Sequence, residues 1–192
     1  MKNGVMKKTR KQLDKEKAYH EAGHAVIARA LGVGITFVTM LSPDDTAAAG
    51  AQTHSATYLA RDADQATQLA AIEKDIKICF AGPSAQTRHR PPKGSHIPSE
   101  WERDIENAQS LAARAALVKS GADLSQIDRG IGSAPTLNPH DAAEVTRLTK
   151  QFASETDALI AENWAAIIRV AEELLRRPIL TEDDVDTLIN TP

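Results

Sequence analysis

Residues His20-Glu21-Ala22-Gly23-His24 constrain the fold more than any other stretch, because they set two imidazoles four positions apart inside a segment patterned as a helix. Four residues along an α-helix turn through about 400°, which leaves the two rings about 40° apart in azimuth and about 6 Å apart along the axis. The rings can therefore close on one ion. Glu21 is displaced by about 100° from His20, so it cannot easily share the ligand plane but can reach a water held beside the ion. With 6 histidines in 192 residues, chance supplies only about 0.01 such matches per chain. A helix that carries two incidental surface histidines is the competing reading.

These residue types suit metal-assisted hydrolysis, and His-Glu-x-x-His is the pattern of zinc metallopeptidases. Neutral imidazole is a good ligand for Zn2+. A catalytic zinc keeps three protein ligands and one open position, where a water has its pKa lowered to about 7. Glu21 is the candidate catalytic base, taking a proton from the attacking water and handing it to the leaving amine while the zinc polarises the scissile carbonyl. Gly23 costs its helix about 1 kcal/mol relative to alanine, which predicts that another backbone or a substrate comes close there.

The chain has room for a single domain with a sizeable core, but not for a peptidase domain plus a typical ATPase module. Neither a Gly-x-x-x-x-Gly-Lys-Ser/Thr phosphate loop nor an apolar run of the ~18 residues that span a bilayer occurs, and the start lacks the apolar core of a signal peptide. A net charge of −3 argues against general nucleic-acid binding. One cysteine, Cys79, excludes an intrachain disulfide and suits a reducing compartment, so the expected location is cytoplasmic. Its apolar neighbours make it a small buried hydrophobe rather than a nucleophile.

Met1 to Gln12 carries five basic and no acidic residues and reads as a flexible, solvated tail; residues 13–192 read as the one domain. Asp14 is the expected cap of a helix to about Leu31, ended by Gly32 and Gly34. Ile35–Leu41 and the loosely alternating Gln52–Tyr58, separated by the Ser42-Pro43-Asp44-Asp45 turn, predict a small sheet or hairpin. Helical spacing returns from Asp62 to Ala81, with Gly82-Pro83 expected to close that helix. Arg88–Pro98 reads as a mobile loop, and Ser99-Glu100-Trp101-Glu102 as a capping box opening a helix to about Ser120. Spacing from Pro139 to Arg177 predicts two helices broken near Glu162-Asn163, and Thr181 caps a last helix through Ile189. The fold class is mainly α with a small β-sheet or hairpin.

Spacing alone does not choose the third ligand among Asp104, Glu102, Glu106, Asp75 and His140. Resemblance to a family does. Ala18–Val26, which contains the two histidines, resembles the motif helix of the FtsH-type zinc metalloproteases. Phe80-Ala81-Gly82-Pro83-Ser84-Ala85 resembles the family's Leu-Ala-Gly-Arg-Ala-Ala stretch, and Asp104-Ile105-Glu106-Asn107-Ala108 its aspartate-bearing Asn-Asp-Ile/Leu-x-x-Ala segment. Glu162-Asn163, Ala171–Leu175 and Leu180–Val185 are similar to its C-terminal helices, so the likeness spans about Lys17 to Ile189.

The resemblance implies a helical-bundle peptidase domain in which His20, His24 and Asp104 bind zinc and Glu21 is the base. It also implies that a strand within Gly50–Tyr58 pairs with an extended peptide or unfolded protein substrate. His54 on that strand could donate to a developing oxyanion, but a solvent-facing histidine is the favoured reading. Pro83 stands where the family has an arginine, and Gln86-Thr87 where it has acids. The family's ATPase and membrane anchor have no counterpart here, so a separate ATPase partner and self-association are both compatible with the chain. Two other readings compete with the peptidase: an inactive zinc- or peptide-binding adaptor, and a helical interaction module on which the histidines are incidental.

Overall fold

A computed structural model describes residues 9–41, 50–60, 63–91, 98–121 and 138–191. Those residues are mainly helical, with one small antiparallel sheet. In chain order the elements are α1 (Arg10–Ala30), β1 (Ile35–Thr39), β2 (Gly50–Thr53), α2 (Ala56–Leu59), α3 (Gln65–His89), α4 (Ser99–Lys119), α5 (Pro139–Glu162), α6 (Trp164–Leu174), β3 (Ile179–Thr181) and α7 (Glu182–Asn190).

The motif helix lies at the centre. From Ala18 to Ala28 almost every residue of α1 is buried, with Ala18, Ala22, Ala25, Val26, Ile27 and Ala28 fully so. It packs against α3 on one side and α6 and the sheet on the other, within an apolar cluster that also takes Ile35, Val38, Ile167, Val170, Leu180 and Val185. A second cluster joins α3, α4 and α5 through Ile72, Ile76, Phe80, Leu111, Leu148 and Phe152. Helix α3 has a face in each cluster, so it is the wall between them. The strand order is β2-β1-β3, with Val38 opposite Ala51 on one side and Leu180 on the other.

Several element boundaries depart from the sequence reading for identifiable reasons. Helix α1 starts at Arg10 rather than at Asp14, because Thr9 and Gln12 form a capping box: Gln12 N donates to Thr9 Oγ1 at 3.3 Å and Thr9 N to Gln12 Oε1 at 3.1 Å. The end of the expected basic tail is thus helical, and residues 1–8 lie outside the described residues. Helix α3 does not close at Gly82-Pro83 but runs on to His89. A proline inside a helix removes the bond to the carbonyl four residues back and costs about 3 kcal/mol; burial of Ala81, Pro83 and Ala85 offsets that cost.

The other corrections are small. Helix α4 begins one residue earlier than a Ser99 cap requires, with Pro98 in the cap position and no side-chain cap. Strand β2 ends at Thr53, and Ser55 caps the short α2 by accepting from Tyr58 N at 3.1 Å, so the alternation read through Tyr58 overran a helical turn. Strand β3 has only three residues and had no strand-length signal. The break after Glu162, the Thr181 cap and the Gly32 stop, at φ 71°, agree with expectation. The turn at 42–45 and most of the loop at 88–98 lie outside the described residues.

Candidate metal centre

Helices α1 and α3 cross where each has a glycine. A Cβ on Gly23 would lie 2.6 Å from the Ala81 carbonyl oxygen and 2.6 Å from the Ala85 Cβ, so the close backbone approach expected from the sequence is made by α3. A Cβ on Gly82 would collide with the Nε2 atoms of both His20 and His24. Both imidazoles therefore bring their Nε2 edges close to the backbone of α3 at Gly82, buried at 5 % and 8 % exposure.

Asp104 reaches them from the second turn of α4. Its Oδ2 is 3.0 Å from His20 Nε2 and 3.2 Å from His24 Nε2, and the two Nε2 atoms are 3.1 Å apart. Four donors at about 2.0–2.1 Å around a tetrahedral zinc stand about 3.3 Å from one another. The triangle of two nitrogens and one oxygen has close to those dimensions.

The outer hydrogen bonds fix which ring nitrogens carry protons. His24 Nδ1 is 2.7 Å from the Ile78 carbonyl oxygen, which can only accept, so Nδ1 carries the hydrogen. His20 Nδ1 is 3.1 Å from Gln86 Oε1, and the Trp101 indole N–H, a donor only, binds that oxygen at 2.7 Å. Gln86 Oε1 is therefore an acceptor and His20 Nδ1 a donor. In the neutral rings both Nε2 atoms then present lone pairs to each other and to a carboxylate oxygen. Three acceptors facing one another at about 3 Å require a cation between them. A proton is one answer: burial pulls the His24 pKa down, but the charge and hydrogen bond of Asp104, then Glu21 and the Ile78 carbonyl, outweigh it and raise it to about 9. Burial pushes Asp104 up, while the charge of His24 and the hydrogen bonds from both rings hold its carboxyl well below the usual range. A divalent metal is the other answer, and two neutral imidazoles with one carboxylate are a donor set that zinc takes.

Glu21 is buried beside this triangle, and its Oε2 accepts the Ala51 N–H of β2 at 3.0 Å. Together with β2 these groups line a cleft of about 520 Å3. Among the described residues β2 is one of the two edge strands of the sheet.

Of the five candidates for third ligand, only Asp104 joins the histidines among the described residues. Asp75 lines the cleft but is spent on the Ser55–Thr57 turn, accepting from Ser55 Oγ and from the Ala56 and Thr57 amides at 2.8–2.9 Å. Glu102 and Glu106 are exposed, and His140 is 89 % exposed beside Asp141. His54 follows β2, exposed, with Nε2 3.2 Å from Thr36 Oγ1, as the solvent-facing reading has it. Cys79 lines the cleft, where burial and then the charges of Asp104 and Asp75 push its thiol up, so it stays neutral. Sequence reasoning missed Gln86 and Trp101 as partners of the site. A signal existed: Ile78, Gly82 and Gln86 are four apart and share one stripe of α3, on which a lone amide needs a buried partner. Compared with the models of known protein families and with curated proteins, the chain finds no match.

Proposed function

We propose that the protein is a zinc-dependent endopeptidase of the FtsH type, acting on peptides or unfolded segments without ATP. The observation that carries the reading is the set of three converging acceptors, His20 Nε2, His24 Nε2 and Asp104 Oδ2, with a buried carboxylate alongside. Zinc held by them would supply a Lewis acid and a water of lowered pKa. Glu21 accepts the proton of the attacking water and returns it to the departing amine, and its bond to Ala51 N holds the carboxylate in that place. Among the described residues β2 is an edge strand, with its Ala51 N–H given to Glu21; an edge strand can pair with an extended peptide, which supports a substrate with little secondary structure of its own. No helix among the described residues is long and apolar enough to cross a membrane; a cytoplasmic location accords with a sequence that has one cysteine and so no intrachain disulfide.

The test is metal analysis of the purified chain together with digestion of a denatured casein-type substrate by wild type and Glu21→Gln. Stoichiometric zinc is expected in both proteins. Chelator-sensitive cleavage is expected in wild type, with a loss of about 10²-fold or more in Glu21→Gln. Zinc binding with no cleavage by wild type would favour the adaptor reading, and no metal in either protein would reject both.

A further inference from the structure

Two cations line the cleft, and the acids that share it are already engaged. Lys17 precedes His20 by three residues on α1, and its ammonium donates to the Met40 carbonyl at 2.8 Å, just beyond the end of β1. An ammonium has three donors, so two remain for a ligand. Arg103 directly precedes Asp104 on α4; its side chain is exposed, lines the cleft, and has no hydrogen bond or ion pair among the described residues. The acids are Asp104, bound to the two imidazoles, Glu21, bound to the Ala51 amide, and Asp75, which takes three hydrogen bonds from the Ser55–Thr57 turn. A divalent ion would offset the charges of Asp104 and Glu21. Lys17 and Arg103 then outnumber Asp75, and the cleft attracts anions.

We propose that the cleft selects substrates that carry a carboxylate close to the scissile bond, with Arg103 as the main recognition residue and Lys17 as its companion. The guanidinium matches a carboxylate through two parallel N–H bonds, whereas the ammonium, tied at one donor, acts as a fixed point charge. The carboxylate can come from an aspartate or glutamate side chain or from a free peptide C-terminus. The cleavage half of this inference rests on the peptidase reading; the binding half does not.

The experiment uses one labelled peptide sequence with Glu, Gln or Lys at a single position, each with a free or an amidated C-terminus. Binding to zinc-loaded, full-length Glu21→Gln is read by fluorescence anisotropy, so that turnover does not interfere, and cleavage is read with wild type. The Glu peptide is expected to bind about five-fold more tightly than the Gln peptide, the scale of one exposed ion pair. That ratio should fall toward one in Arg103→Ala and also in Lys17→Gln, which keeps a donor for Met40, and Arg103→Glu should shift the preference toward Lys. A preference that follows only the free C-terminus supports the same carboxylate recognition and identifies the chain end as its source. Equal binding of all the peptides, or a ratio unaltered by both Arg103→Ala and Lys17→Gln, overturns the proposal. Charge-selective binding with no wild-type cleavage would reject the peptidase reading alone, and cleavage without charge preference would reject the selectivity alone.

Discussion

Gln86 Oε1 accepts two hydrogen bonds, and each comes from a helix that carries a metal-ligand candidate: His20 on α1, and Trp101, one turn before Asp104, on α4. Gln86→Met keeps the volume and removes the acceptor. Loss of an outer partner of this kind lowers metal affinity about 10- to 100-fold, and competition with a chromophoric chelator should show it. The raised pKa of His24 gives a second outcome. Its proton must leave before a metal can bind, so apparent zinc affinity should climb as pH rises from about 6.5 to about 9 and then level off. In the metal-free protein, the stabilisation from protonated His24 is complete below its ordinary value of 6.5 and lost as pH passes about 9. Chelated protein should therefore denature at progressively lower temperature across that window, and an equal melting point at both ends would refute the ion pair with Asp104.

At the scale of elements, the crossing of α1 on α3 depends on two residues without side chains. Gly23→Ala places a methyl against the Ala81 carbonyl and Ala85, so the helices must move apart; overpacking of this kind costs about 1–3 kcal/mol. The same movement separates the imidazoles from α3, so this variant should lose metal affinity as well as stability. Urea denaturation in chelator, beside a metal titration, would check the pair of effects.

This crossing also explains what could be read from the sequence. His20, Glu21 and His24 were legible because their spacing is local and follows directly from helix geometry. Gly23 was legible as a close approach, but its partner was not, since nothing local in α1 names Ala81. Gly82-Pro83 misled for the opposite reason: both residues are local stop signals, and here the packing of α3 between two clusters overrides them. Asp104 could not be separated from Glu102 or Glu106 by spacing, because its distinction is the helix face that meets α1. Only the resemblance singled it out.

Across the whole molecule, the ligand candidates are 80 residues apart in sequence and come from helices in different clusters, α1 in one and α4 in the other. A metal between them closes a long loop and acts as a clip across both cores. Free zinc at a thousand times its dissociation constant should stabilise the fold by about 4 kcal/mol. Thermal denaturation with and without chelator measures this directly, and an unchanged midpoint would mean that no ion bridges the clusters.

The sheet ties the far end of the chain to this region. Strand β3 flanks β1 opposite β2, and Arg29 on the motif helix is held by Glu182 and by Asp186, the latter through two hydrogen bonds of 2.7 Å. Trimming the protein anywhere before residue 186 would strip β1 of its second neighbour or the motif helix of its anchor. A cut made that far along the sequence would be felt in the cleft, so a minimal working fragment has to retain β3 and α7, although neither contributes a side chain to the cleft itself.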